Sequence, residues 1–411
     1  MIATRRPPLA TRMRLGLLAL AILAASIGPS PAGAQSAAER IVAEWAETQR
    51  AAGRGVEWSG LSHAASDDRL DLRDLVVTLP GAEPIRIEIP GLTVTGLAEH
   101  GDGGVAFAAL AAPRLTLSTR SGGEEVTLRL TDLAIADATL PKPVFPAFDA
   151  DRPFAALWAA ARVLDPFAAA RASIGRLVVA SGRPGTPERG EITLADLAVD
   201  GLGGGRVDRL RLGSAAIDAV ADKGRARLTI ADVDVAGFDP TAWRHVWDDR
   251  AYVDGKGDGL WRRTLASARI GRIALETDDT RMSVDRLVAG ERSVRQFDEP
   301  LGRRVDRLMV DPDSVAPPDT LALVLEDFLG SRHEGWAIEG FRLVGPGVER
   351  AEIARFAVGP FSGERLAEVS LDGVDVAAGQ TLLRLGRLAL ADLGLPDADD
   401  LRRAIPAAAA G

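Results

Sequence analysis

The chain has 411 residues, 46% of them hydrophobic and 5% aromatic, with no cysteine and a net charge of −9. That length and apolar content allow one large domain or two to three ordinary ones around a sizeable core. Lack of cysteine excludes disulfides, thiol chemistry and lipid attachment at an N-terminal cysteine, and the acidic balance argues against nucleic acid as a partner.

Residues 1–34 have the three parts of an export signal. Arg5, Arg6, Arg12 and Arg14 make a basic start, Leu15–Ile27 is an apolar run, and Ala32-Gly33-Ala34 forms a small-residue cleavage site before Gln35. The apolar run is short of the roughly 20 residues that cross a bilayer. The reading is a cleavable signal, a periplasmic product and no transmembrane span after cleavage. Loss of the four arginines, with no acid in the segment, takes the net charge from −9 to −13.

An N-terminal β region is expected over 35–140. It introduces a pattern that recurs along the chain: two apolar residues in alternation, then an aspartate, then two more apolar residues in alternation. The copies are Leu70–Val77 around Asp74, Leu128–Ile135 around Asp132, Ile192–Val199 around Asp196, Leu228–Val235 around Asp232 and Leu388–Leu395 around Asp392. Val369–Val376 has Gly373 in the aspartate slot. The two apolar pairs are out of phase for a regular strand. A β-bulge beside the aspartate returns them to one face, and Asp and Gly tolerate that backbone. The alternative is a row of aspartates that binds cations. Ala172–Val179, Ala268–Leu275 and Leu383–Leu390 share a second motif centred on Gly-Arg.

Residues 141–171 read as a helical insert. Phe154, Leu157, Trp158, Ala161 and Leu164 fall at three-four spacing, Asp165-Pro166 breaks the helix, and Phe167–Arg171 is read as a short second helical piece. A β region follows over 172–238. A second helical insert is expected over 239–266, opened by Asp239-Pro240, with Trp243 and Trp247 one turn apart. A C-terminal β region spans 267–395 with a short helix near 319–330, and 396–411 is a helix or tail. Further strands are expected near 54–61, 84–95, 105–118, 206–219, 281–289, 303–310, 335–344 and 349–361. The fold class is mainly β with helical inserts (α+β): an elongated, twisted antiparallel sheet of repeated bent strands with short capping helices.

No catalytic, cofactor or metal signature emerges, and an enzyme is not expected. His63, His100, His245 and His333 have no zinc-ligand spacing, and neither a nucleophile elbow nor a phosphate-binding loop is present. Asp254–Gly259 has the central glycine of a calcium loop, but Lys256 takes a ligand position and Leu265 stands where a glutamate is needed. The residues singled out are Phe154, Leu157, Trp158, Trp243, Trp247 and Trp261, as lining or cap of an apolar groove, with core packing as the plainer role.

The repeated strands at Leu70–Val77, Leu128–Ile135, Ile192–Gly201, Leu228–Gly237 and Leu388–Leu395 resemble those of the AsmA-like superfamily, which includes TamB-like proteins. The resemblance implies a curved β-sheet with an apolar inner groove and a part in moving lipid between bacterial membranes. The chain departs from that family in its cleavable signal, shorter length and helical inserts. Two functions follow as expectations. One is a non-enzymatic periplasmic protein that binds or helps move a lipid or other amphiphile along an apolar groove. The other is a structural or protein-interaction protein of the cell envelope, with a closed core and no ligand.

Overall fold

The computed structural model describes residues 36–394, except 82, 102, 122, 143–148, 150, 187, 222–223, 298–299, 312–329 and 364. The segment 1–34, the helix expected near 319–330 and the tail at 396–411 lie outside the described residues.

The first element corrects the all-β expectation for 35–140. Helix α1 (Ala37–Ala51) opens on a capping box: Ser36 Oγ accepts the Glu39 N–H at 3.2 Å, and Glu39 Oε2 accepts the Ser36 N–H at 2.9 Å. Such a cap contributes about 1 kcal/mol. Ala38, Ile41 and Trp45 recur at helical spacing on its buried side.

The chain then runs back and forth as antiparallel strands. β1 (Gly55–Glu57) and β2 (Gly60–Ala64) both pair with β3 (Arg69–Leu79), which pairs with β4 (Ile85–Thr95). β4 and β5 (Ala98–His100) pair with β6 (Gly104–Ser121). Next come β7 (Glu124–Leu140), β8 (Ala168–Gly182), β9 (Arg189–Gly203), β10 (Arg206–Ala221) and β11 (Gly224–Phe238), each antiparallel to the one before. Helix α2 (Pro153–Ala161) and a 3-10 turn at Arg162–Leu164 interrupt the run between β7 and β8.

Helix α3 (Pro240–Trp247) follows β11, capped by Asp239 with Pro240 at its first turn. A small separate sheet joins β12 (Arg262–Leu265) to two later strands. The main sheet resumes with β13 (Ser267–Ile270) and β14 (Arg272–Thr277) against β11, then β15 (Arg281–Val284) and β16 (Arg286–Ala289) against those. β17 (Arg292–Val294) pairs with β12 and with β18 (Ser331–His333). Helix α4 (Leu301–Val310) lies between β17 and β18. β19 (Trp336–Gly345), β20 (Val348–Val358), β21 (Arg365–Ala378) and β22 (Thr381–Gly394) complete the main sheet. Among the described residues the main sheet has 19 strands and the small one has 3.

Three local expectations are corrected. Residues 303–310 form helix α4, not a strand. Leu301, Val305 and Leu308 are spaced four and three apart with Arg303, Arg304 and Arg307 between them, so helical period outweighs the local β-branched content. Phe167–Arg171 is not helical: Ala168 and Ala169 already pair with Thr139 and Ala138 of β7. The insert at 239–266 is helical only at α3 and a 3-10 turn, Asp249–Ala251, and ends in strand β12.

Asp74, Asp132, Asp196 and Asp232 mark a crease that crosses the sheet and reaches Gly373 on β21 and Gly386 on β22, while Asp392 marks a second bend six residues further along β22. Asp74, Asp132, Asp196, Asp232 and Asp392 all have left-handed backbone, with φ between 50 and 58°. Gly373 takes the same conformation at 62°. The bend does not add a residue to one strand alone. Thr131 pairs with Arg176 and Ala134 pairs with Ser173, so three steps on β7 match three on β8. Neighbouring strands therefore bend together, and register is kept. Three of these aspartates face a glycine on the next strand: Asp132 faces Gly175, Asp196 faces Gly213 and Asp232 faces Gly271. A Cβ on Gly213 would sit 2.9 Å from Asp196 Oδ2, so the bare backbone makes room for the carboxylate. The same crease continues through Asp285 against Gly340 (φ 66°), and a second line of bends includes Gly201 (φ 64°) against Asp208.

The crease does what the sequence pattern requires. On β3, Leu70 and Leu72 are buried, Arg73 and Asp74 both point outward, and Leu75, Val77 and Leu79 are buried again. β4 does the same with Ile87 and Ile89, then Leu92 and Val94, on either side of Pro90-Gly91. One face of the sheet thus stays apolar through the bend.

Candidate apolar face of the sheet

The inward residues form one surface from strand to strand. Leu117 pairs with Leu128, Leu128 with Val179, Val179 with Ile192, Ile192 with Ile217, and Ile217 with Leu228. The row continues through Leu275, Met282 and Leu343. Across the crease Leu212 is flanked by Leu197 and Val233. Near the last strand Val369 pairs with Leu390 and Leu371 with Leu388.

Burial along this surface is uneven. At the N-terminal end Leu75 and Leu117 are 2% and 1% exposed, in a core that includes Trp45 of α1 and Phe167 at the start of β8. That core draws on α1 and on strands β3, β4, β6, β7 and β8. From β9 onward most inward residues are half-buried, and Ile192 and Ile217 are each 41% exposed. On β22 Leu388 and Leu390 reach 51% and 54%. Full burial of such a side chain stabilises by about 1.5–3 kcal/mol, so a half-exposed one leaves about 1 kcal/mol unrealised. Over a row of these residues the unrealised burial is a substantial driving force for an apolar occupant.

The outer face is of opposite character. Arg209 grips Asp234 of the next strand through Nε at 2.9 Å and Nη2 at 2.6 Å, and this hydrogen bond holds the Asp234 carboxyl below its ordinary pKa. Arg211 reaches Asp200 at 2.6 Å. Arg342 binds Asp285 in the same forked manner at 3.0 and 2.9 Å, and Arg350 takes Asp375 at 2.9 Å. These pairs lock register and keep the outer face wet.

Five of the six singled-out side chains are described, and they gather in a module around α2, α3 and the small sheet. Phe154 of α2 meets Trp158 at 5.9 Å and Trp247 of α3 at 5.4 Å, both edge-on. Trp247, with Phe297 and Val305, packs on a small core of Val246, Val294 and Leu301. Trp243 carries the Arg292 guanidinium at 4.6 Å. Trp261 carries Arg295 at 5.2 Å and Arg332 at 4.4 Å. Leu157 lies in α2, and its side chain is outside what is described. The structure thus joins Phe154, Trp158 and Trp247 in one cluster and holds Trp243 and Trp261 apart on arginines. The module is tied to β10 by Arg206–Asp239 at 2.8 Å, and within it the pair Arg244–Asp165 joins α3 to the turn that follows α2.

The residues that carry the apolar face, such as Leu197, Leu212 and Val233, are not among the six singled out from the sequence. Their alternation beside the aspartates was the signal that placed them on one side. The aspartates themselves point outward on alternate strands, about 9–10 Å apart. That is too far for two of them to share a cation, which takes oxygens at about 2.3–2.6 Å. Among the described residues no group of three or more His, Cys, Asp or Glu is arranged to hold a metal ion. Asp254 and Gly255 form a turn closed by a bridge between Val253 and Lys256, and Asp258 is taken by Arg262. His63 pairs with Asp68 at 2.9 Å, and His333 lies against Phe361 at 5.1 Å. Among the described residues no helix is long and apolar enough to cross a membrane. Comparison with known proteins finds no matching family model, no matching curated protein and no matching solved structure.

Proposed function

We propose that this protein is an exported, periplasmic, non-enzymatic carrier that holds a lipid or other amphiphile along the inner face of its sheet. The observation that carries this reading is the half-exposed apolar surface from β9 to β22, backed by an outer face of Asp–Arg pairs. An acyl chain laid along it removes apolar surface from water on both partners. A polar head group stays in solvent at the rim. The resemblance of the repeated strands to AsmA-like proteins points the same way.

The test is mass spectrometry of organic extracts from protein purified out of the periplasm. A lipid or amphiphile in near-stoichiometric amount is expected, and its absence after gentle purification would sink the reading. A second reading, a structural or interaction protein of the envelope, draws on the closed core around Trp45, Leu75 and Leu117. It predicts that fatty-acid probes bind no better to the intact protein than to one with charges placed on the inner face.

A further inference from the structure

We infer that β22 is an interface between two copies of this chain, joined edge to edge about a two-fold axis. Among the described residues β22 pairs with β21 alone, so one whole edge of its fourteen residues has no strand beside it. Its inner face is also the most open in the sheet, with Leu383, Leu388 and Leu390 at 54%, 51% and 54% exposed. A long edge of this kind is a template for another strand.

The sequence of β22 complements itself in the antiparallel sense. In a regular strand an odd-sum self-pairing sets inner residues against outer ones, but the crease at Gly386-Arg387 reverses that. With Leu385 opposite Leu388 of the second copy, Leu383 falls opposite Leu390 and the bend at Gly386-Arg387 lies on itself, while the second bend at Asp392 meets only Thr381, the first residue of the strand. Every directly opposed inner pair is then leucine on leucine. On the outer face Arg384 stands opposite Ala389, and no like charges are directly opposed. Arg387 is already held by Glu368 at 3.0 Å on its own β21. The opposite end of the sheet does not offer a matching edge. It is broken into β1, of 3 residues, and β2, of 5, and α1 packs against both. A closed pair through β22 therefore fits better than a head-to-tail chain. This inference stands whether or not the apolar face carries an amphiphile.

The test uses the full mature chain, which has no cysteine of its own. Light scattering is expected to give twice the chain mass. On mild oxidation the double variant Arg384→Cys/Ala389→Cys is expected to form a covalent dimer, and Arg384→Cys/Ala391→Cys, two residues out of register, is not. Leu388→Lys, at an exposed position, is expected to give a folded monomer. A wild-type monomer across the accessible concentration range would overturn the inference, as would equal cross-linking of the two cysteine pairs. So would a dimer that appears only when residues 395–411 are removed, because the chain's own tail would then occupy the edge.

Discussion

Asp306 caps a helix to which it does not belong. Its Oδ1, on α4, accepts the backbone N–H of Phe154 at 2.8 Å and of Ala155 at 3.2 Å, at the first turn of α2. Arg152 lies 3.6 Å from the other oxygen. The residue before Pro153 is an arginine, which cannot accept these bonds, so the helix borrows its cap from a segment about 150 residues away in sequence. Asp306→Ala is expected to cost about 1–2 kcal/mol, and Asp306→Asn less, because an acceptor remains. Chemical unfolding followed by tryptophan fluorescence reads this directly, since Trp158 and Trp247 sit beside the capped turn.

The crease makes a paired prediction at Asp196 and Gly213. Asp196→Val forces a branched side chain into left-handed backbone and is expected to destabilise by about 1–3 kcal/mol. Asp196→Gly is expected to be close to neutral. Gly213→Ala is expected to destabilise through its contact with the Asp196 carboxylate, 2.9 Å from the new Cβ. In the double variant Asp196→Gly/Gly213→Ala most of that loss should return. Additive losses in a double-mutant cycle would show that the two positions do not meet.

Tyr252 is the only tyrosine, so its titration can be followed without interference. Burial pushes its hydroxyl pKa from 10.0 up to about 12, and the hydroxyl donates to the Val246 carbonyl at 2.8 Å. A pKa raised in the folded state stabilises the fold below pH 10 and loses that contribution as pH rises toward 12. Tyrosinate absorbance is expected to rise near pH 12 in the native protein and near 10 in denaturant. A native midpoint near 10 would place the ring in water.

At the other end of the pH scale stands Asp258. Its hydrogen bonds with Arg262 hold the carboxyl down from 3.8 to about 2. A lowered carboxylate pKa stabilises above the unfolded value and is lost as pH falls through the folded one. The difference in unfolding midpoint between wild type and Asp258→Asn is therefore expected to be constant above pH 4 and to vanish toward pH 2. A difference that persists in acid would assign the effect to the Leu260 N–H, which Asp258 also accepts at 2.9 Å.

The apolar face is tested by Leu212→Asp. Leu212 is half-buried between Leu197 and Val233, so a charge there can still reach water and the fold should survive. Binding of a fluorescent fatty acid is expected to fall at least tenfold, about 1.4 kcal/mol. Thr229→Asp, on the outer face of β11, is expected to leave it unchanged. Equal effects from both would remove the distinction between the two faces.

How much of this was legible in the sequence depends on how local the signal is. Asp74, Asp132, Asp196 and Asp232 sit between apolar pairs of opposite phase, and that arrangement dictated a bend with one apolar face. It did not show that the neighbour bends too, because the answering glycines, Gly175, Gly213 and Gly271, lie on other strands. The capping box at Ser36 and Glu39 was a readable signal for α1 that the β-rich surroundings obscured. Val305 and Val310 favour a strand over 303–310, although Leu301, Val305 and Leu308 already follow a helical step. The cap from Asp306 to Phe154 could not be read at all, since nothing in either segment names the other.

The matched creases also set the terms on which such a sheet can change in size. A hairpin that brings one left-handed aspartate and one facing glycine fits between any two existing strands of the same kind, as Asp196 and Gly213 fit between their neighbours. Because the bend recurs at matched register from β7 to β11, adding a hairpin there widens the sheet without altering the bend. Evolution can then widen or narrow this architecture by whole hairpins, much as masonry is extended by courses, while the packing within each course stays as it was.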